Sequence, residues 1–140
     1  METTCGFFII DENNKILIVH PTNAKDTIWS IPKGRLDNGE TELEAAYREV
    51  NEETNIDLLN YEGKIIPLGR AKYKKRRKIL CAFVFEYNGI FKEKLKCKTF
   101  VKRKFPEVDK YKWVTFKKAF ELIHETQQIL LQKYLKEYRK

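Results

Sequence analysis

The chain has 140 residues, 42% of them apolar and 34% charged, which suits one folded domain without disulfides or structural metals as staples. Lys and Arg number 28 against 20 Asp and Glu, a formal net charge of +8 that favours anionic partners such as phosphates or nucleic acid. Cys5, Cys81 and Cys97 lack CxxC spacing, no apolar stretch is long enough to span a bilayer, and Met1–Cys5 carries no basic or cleavable apolar leader, so the expectation is a cytoplasmic domain over residues 1–140 with no membrane partner.

Cys5–Ile10 and Lys15–His20 read as two strands joined by a turn at Asp11-Glu12-Asn13-Asn14. A loop through Pro21, Asn23 and Asp26 leads to Trp29-Ser30-Ile31-Pro32-Lys33-Gly34 and then a polar turn at Asp37-Asn38-Gly39. A helix follows, with Thr41 as N-cap and Glu44 closing a capping box. Leu43, Ala46, Tyr47, Val50 and Thr54 recur at helical spacing as one narrow inward stripe, and Asn55 stands where a left-handed C-terminal residue is wanted. Lys64–Tyr73 and Ile79–Tyr87 read as paired strands around the basic turn Lys74-Lys75-Arg76-Arg77, and Asn88-Gly89 is a hairpin signal. Residues 90–105 are Lys-rich and carry no clear period. Tyr111–Phe116 reads as a short strand, and Phe116–Tyr138 as helix broken near His124–Thr126. Mixed strands with two or three helices indicate an α/β layered domain.

On a wheel turning about 100° per residue from Leu43, Glu42, Glu49 and Glu53 share one ridge at roughly 240–280°, away from the stripe near 0–20°. Glu44, Arg48 and Glu52 lie at roughly 100–180°, with Glu44 and Arg48 in the favourable acid-first i,i+4 order. Glu49, Glu52 and Glu53 thus fall within one turn, with oxygens able to converge. Carboxylates that close repel unless a cation sits among them, and hard divalent ions such as Mg²⁺ take oxygen ligands. The alternative is a solvated acidic face, ordinary for a Glu-rich helix taken alone.

Gly34, five residues, Glu40, seven residues, then Arg48-Glu49-Val50-Asn51-Glu52-Glu53-Thr54-Asn55-Ile56 resembles the Nudix box, GX5EX7REUXEEXGU with U aliphatic. One position departs: Asn55 stands where the family has Gly, a mild change because Asn is the next-best residue for a left-handed cap. Trp29-Ser30-Ile31-Pro32-Lys33-Gly34 is similar to the family's W-x-x-P-K-G approach. Phe105-Pro106-Glu107-Val108-Asp109-Lys110-Tyr111-Lys112-Trp113 is similar to a segment of its diadenosine-polyphosphate hydrolases. The resemblance implies a single Nudix domain, an α/β/α sandwich with the box helix beside a mixed β-sheet.

It also implies a hydrolase cutting a phosphoanhydride bond of a nucleoside diphosphate linked to another moiety, with Mg²⁺ or Mn²⁺ as cofactor. Glu49, Glu52 and Glu53 would hold metal, with the backbone at Lys33 or Gly34 as a further ligand, while Glu40 and Arg48 would be structural. The general base is Glu49 or Glu107. An ordinary surface acid is the alternative for Glu107. Lys33, Arg35 and the 72–78 segment, Lys74 and Arg76 included, are candidates for phosphate contact, against a simply solvated turn. Tyr73, Phe83, Phe105 and Tyr111 could stack on a base but read first as packing residues, as do Trp29 and Trp113. His20 and His124 form no metal pair or triad, and Cys81 reads as a core thiol.

Within that chemistry the segment at 105–113 favours dinucleoside polyphosphates. Removal of pyrophosphate or a cap from RNA 5′ ends is the alternative, favoured by the charge and by the lysines of 72–78 and 92–104. A non-catalytic module binding RNA or a nucleotide is a third reading, which the crowded carboxylates oppose. The sequence names no oligomeric state.

Overall fold

The computed structural model describes residues 1–139. Its strands are β1 (Glu2–Ile10), β2 (Ile16–Pro21), β3 (Lys33–Arg35), β4 (Lys64–Lys72), β5 (Lys78–Glu86), β6 (Phe100–Val101), β7 (Phe105–Pro106) and β8 (Val108–Val114). Its α-helices are α1 (Glu42–Thr54), α2 (Phe116–Leu122) and α3 (Glu125–Tyr138), with a 3₁₀ turn at Leu58–Asn60. One mixed sheet runs β4-β5-β1-β2-β8, with β3 added against β1. β1 and β5 are parallel, whereas β1/β2, β4/β5 and β2/β8 are antiparallel.

The central strands are apolar on both faces because helices cover both. Phe8, Ile10, Ile16, Ile18, Leu80, Ala82 and Val84 face α2 and α3, meeting Ala119, Leu130, Leu131 and Tyr134. Their alternates Cys5, Phe7, Ile9, Leu17, Cys81, Phe83 and Phe85 face α1, meeting Ala45, Ala46 and Val50. The two-residue period of each strand therefore sorts its side chains between two cores, the layered α/β sandwich expected.

α1 has its capping box from Thr41 and Glu44, and Asn55 is left-handed at φ 75°. His124 caps α3 with its ring, Nδ1 accepting from the Thr126 N–H, so the break between α2 and α3 falls where expected. His20 is buried, bonded through Nδ1 to Asp109 and through Nε2 to the Lys25 carbonyl.

Two expectations are corrected. Asn88-Gly89 does not turn a hairpin: β5 lies between β4 and β1, both edges are filled, and the chain leaves as an extended strap over 88–99. The buried face of α1 is also wider than the stripe through Leu43 and Tyr47, which are only half-buried. It runs through Ala45, Ala46, Glu49, Val50, Glu53 and Thr54. The Glu49–Glu53 ridge, placed outside by the apolar periodicity, sits in the middle of this arc.

Candidate active site

β1 and β2 pair at Ile10 and Ile16 beside their turn and diverge beyond it. Residues 30–35 fill the wedge: Ser30 exchanges both backbone bonds with Val19 of β2, and β3 pairs with Thr4–Gly6 of β1. This insertion is held from α3, where the buried Gln127 accepts from the Ile31 N–H and donates to the Ser30 hydroxyl. At Gly6 a Cβ would fall 2.5 Å from the Pro32 carbonyl oxygen, so close approach of the inserted segment requires glycine there.

The inserted segment lies directly over α1. A Cβ on Gly34 would fall 2.0 Å from the Glu49 carboxyl carbon, so this glycine makes room for the carboxylate. The Lys33 N–H donates to Glu53 Oε1 at 3.1 Å, and the Tyr111 hydroxyl donates to the Glu53 carbonyl at 2.6 Å. Glu53 is only 8% exposed. Burial, against the opposing pull of Lys33 and with Glu49 and Glu107 adding repulsion, pushes its pKa up to about 8. Glu49 is raised too, by burial first, although Arg48 works against it.

Arg48 ties the outer carboxylates together. It bonds Glu40 through Nε and Nη2, Glu49 and Glu52 through Nη1, and the Arg35 carbonyl through Nη2. Its hydrogen bonds hold Glu40 below the usual carboxylate range. Glu52 faces this arginine on the outer side, so Glu49, Glu52 and Glu53 do not gather round a single point. No three acidic, histidine or cysteine side chains among the described residues do.

Above Glu53 opens a cleft of about 540 Å³, lined among others by Thr4, Lys33, Arg35, Lys78, Val101 and Glu107. The structure thus brings Glu107, from the connection between β7 and β8, to the same cleft as Glu53 and Lys33. Lys78, at the start of β5, is 3.6 Å from Glu2, and burial together with Lys33 pushes its ammonium below the usual range. The hydroxyls of Thr4 and Thr22, both in the cleft wall, are buried without a partner among the described residues. Arg35 is well exposed and ion-paired with Glu2 at 2.8 Å. Arg76 borders a smaller adjoining pocket with Lys33, Lys78, Tyr73 and Trp29.

Lys74 is not brought to the cleft. It is exposed and lies beside the start of α3, 3.7 Å from Glu125. Tyr73 and Phe83 are buried, and Trp113 stacks on Phe91, so these rings pack as expected. Sequence reasoning missed the parts played by Glu2, Tyr111 and Gln127. Only Gln127 left a trace, as an amide on the inward side of an otherwise apolar helical run.

The NUDIX domain family matches residues 2–134. The chain is similar to an RNA pyrophosphohydrolase from Pelagibacter ubique, 26% identical over 84% of this chain and 78% of that protein. It is also similar to the m7GpppN-mRNA hydrolase of Saccharomyces cerevisiae, 31% identical over 86% of this chain but only 11% of that much longer protein. Among solved structures, a MutT protein from Methanosarcina mazei superposes with a TM-score of 0.73 at 21% identity, over 99% of this chain and 96% of that one. A C. elegans Ap4A hydrolase also gives 0.73 at 21% identity, over 96% and 95% of the two chains. With the box residues on α1 and the fold matched from end to end, the chain belongs to the Nudix hydrolase family.

Proposed function

We propose that the cleft over Glu53 hydrolyses a phosphoanhydride bond in a 5′-linked polyphosphate, with a divalent cation, Mg²⁺ first, as cofactor. The observation that carries this reading is the gathering of unlike charges in one cleft: buried Glu53 and exposed Glu107 line it together with Lys33 and half-buried Lys78.

The donor set suits a hard divalent ion. Two neighbouring buried carboxylates, each pushed towards its neutral form, are stabilised as anions when a cation is shared with them. Glu53 and Glu49 would hold it, with Glu52 reached from the outer side and Lys33 and Gly34 as the adjoining backbone. When bound, such an ion withdraws charge from the phosphates and acidifies attacking water. Lys33 and Lys78 bind phosphate oxygens, and the orphaned Thr4 hydroxyl offers a further hydrogen bond. Glu107 takes the proton from the attacking water; it is open to the cleft, whereas Glu49 is bonded to Arg48 and packed under Gly34. Water then adds at phosphorus, the bridging P–O bond breaks, and the leaving phosphate carries off the electron pair. Arg48 and Glu40 position the box carboxylates without touching substrate.

For the substrate, a 5′-triphosphorylated or capped RNA end is the leading reading. It is supported by the relatives named for RNA ends that align along most of this chain and by the net charge of +8. Dinucleoside polyphosphates are the second, favoured by the 105–113 segment, whose Glu107 lines the cleft. Chromatographic identification of products, phosphate or pyrophosphate from 5′-triphosphorylated RNA and two mononucleotides from diadenosine tetraphosphate, with Mg²⁺ and with Glu53→Gln as control, tests both. Glu53-dependent turnover of RNA supports the first and turnover of the dinucleotide alone the second. Turnover unchanged in Glu53→Gln removes the site assignment.

A further inference from the structure

The segment from Asn88 to β6 forms neither helix nor sheet, yet it is firmly held along the C-terminal end of α1. The Lys96 N–H donates to the Thr54 carbonyl and the Lys98 N–H to the Glu52 carbonyl, while Asn55 Nδ2 donates to the Lys94 carbonyl. Glu93 accepts from the Asp57 N–H and the Tyr61 hydroxyl. Phe91 and Leu95 pack into the α1-side core. Odd-numbered residues therefore point inwards, and the even-numbered Lys92, Lys94, Lys96 and Lys98 are all exposed. An extended chain repeats every second side chain at about 6.6 Å, so the four lysines leave one edge of the strap at near-regular intervals.

The row runs to the cleft. Exposed Phe100 and Val101 follow it, then a tight turn in which Lys102 and Arg103 are left-handed at φ 49° and 60°. Thr99, at the end of the row, accepts from the Glu107 N–H, and both Val101 and Glu107 line the cleft. None of Lys92, Lys94, Lys96, Lys98, Lys102, Arg103 and Lys104 is ion-paired with a carboxylate among the described residues; Lys98 alone has a side-chain bond, to Asn51. Solubility needs neither a row on one edge nor cations held on a fixed backbone. A flexible single strand of phosphates gains from both, since each neutralised phosphate releases counterions and the protein side is already ordered. Exposed Phe100 adds a ring on which a base can stack.

We propose that this strap is a docking track for the single-stranded body of an RNA whose 5′ end lies in the cleft, Lys92, Lys94 and Lys96 binding successive phosphates and Phe100 a base near the cleft mouth. The inference rests on the RNA reading of that cleft, and it separates the enzyme's choice of chemistry from its choice of polymer length.

Binding without turnover tests it independently of the reaction. Fluorescence anisotropy with labelled 5′-hydroxyl oligoribonucleotides of about 2 and about 12 nucleotides would be compared for the wild type, K92E/K94E/K96E, K92Q/K94Q/K96Q and F100A. The control is K117E/K118E/K136E, the charge change of the glutamate triple placed on exposed lysines of α2 and α3. The wild type is expected to favour the longer strand. In both strap triples that preference should fall by roughly tenfold, and the slope of log affinity against log salt should become shallower by about 2, as expected for three lost single-strand contacts. F100A should lower affinity with an unchanged salt slope. A preference for length that survives in the strap triples, or falls equally in the control, overturns the proposal. Failure of the RNA reading itself shows differently, as no turnover of 5′-triphosphorylated RNA whatever the anisotropy reports.

Discussion

The two faces of the sheet use the same strand pattern for opposite ends. On the α2/α3 face, alternate residues of β1, β2 and β5 meet Leu130, Leu131 and Tyr134 in an apolar core. On the α1 face the same alternation meets a helix whose buried arc includes two carboxylates, Glu49 and Glu53. The first face gains transfer free energy from every buried side chain. The second gives some up to keep carboxyl groups out of water beside a cleft, a cost that Lys33 and Arg48 offset only in part. Stability and function are thus divided between layers, and mutations should separate them.

The largest expected effect falls on the α1 face. Glu53→Gln should lower turnover by at least about 100-fold while the thermal midpoint stays equal or rises, because an amide is buried without the cost of first protonating a carboxylate. On the other face Leu131→Ala should do the reverse, costing about 2–5 kcal/mol in denaturant unfolding with turnover per folded molecule unchanged. Equal losses of both properties in both variants would break the comparison. Gly34→Ala lies between them. The added methyl must displace the Glu49 carboxylate, costing about 1–3 kcal/mol and lowering activity with it, and a fully active variant would show that Glu49 need not sit where it does.

The pH dependence sharpens the same division. With its pKa pushed up to about 8, folded Glu53 holds a proton that the unfolded chain, with the usual value of 4.5, has lost between those limits. The folded state then binds more protons, so metal-free stability should fall as pH rises from about 5 to about 8. Glu53→Gln should flatten that fall. Added Mg²⁺ should raise the midpoint more at pH 8 than at pH 5, since it competes with the proton for the same carboxylates. An equal shift at both values would place the ion elsewhere.

The smallest effect is expected at Asn55. Replacing it by glycine eases the left-handed backbone but loses the bond to the Lys94 carbonyl, two terms of about 0.5–1 kcal/mol and opposite sign, so the midpoint should hardly move. A large gain would mean that the side-chain bond contributes little to holding the strap.

Much of this molecule was legible before any fold was known, where the signal is local. The capping box at Thr41 and Glu44, the left-handed Asn55, the basic hairpin between β4 and β5 and the break at His124 are set by residues within a few positions of one another. The spacing from Gly34 to Ile56 was likewise enough to single out Glu49, Glu52 and Glu53.

The rest depends on partners far away in the chain. Asn88-Gly89 carries the composition of a hairpin, but both edges of β5 are already occupied, one by a strand some 75 residues earlier. Apolar periodicity put the Glu49–Glu53 ridge on the outside because it reads only α1 itself. That ridge is buried because residues 30–35, held by Gln127, fill the wedge between β1 and β2 and lie over it.

The sequence by itself determined the cap of α1 and the break between α2 and α3, the approximate places of the long strands, and which helix bears the carboxylates. Only the tertiary structure decided that Glu107 and Lys78 share a cleft with Glu53, that Lys74 does not, and that four alternate lysines form one exposed row. The physical reason is range: caps, turns and periods are fixed by torsions and neighbours a few residues apart. A buried charge and a cleft exist only when segments remote in sequence have packed and excluded water together.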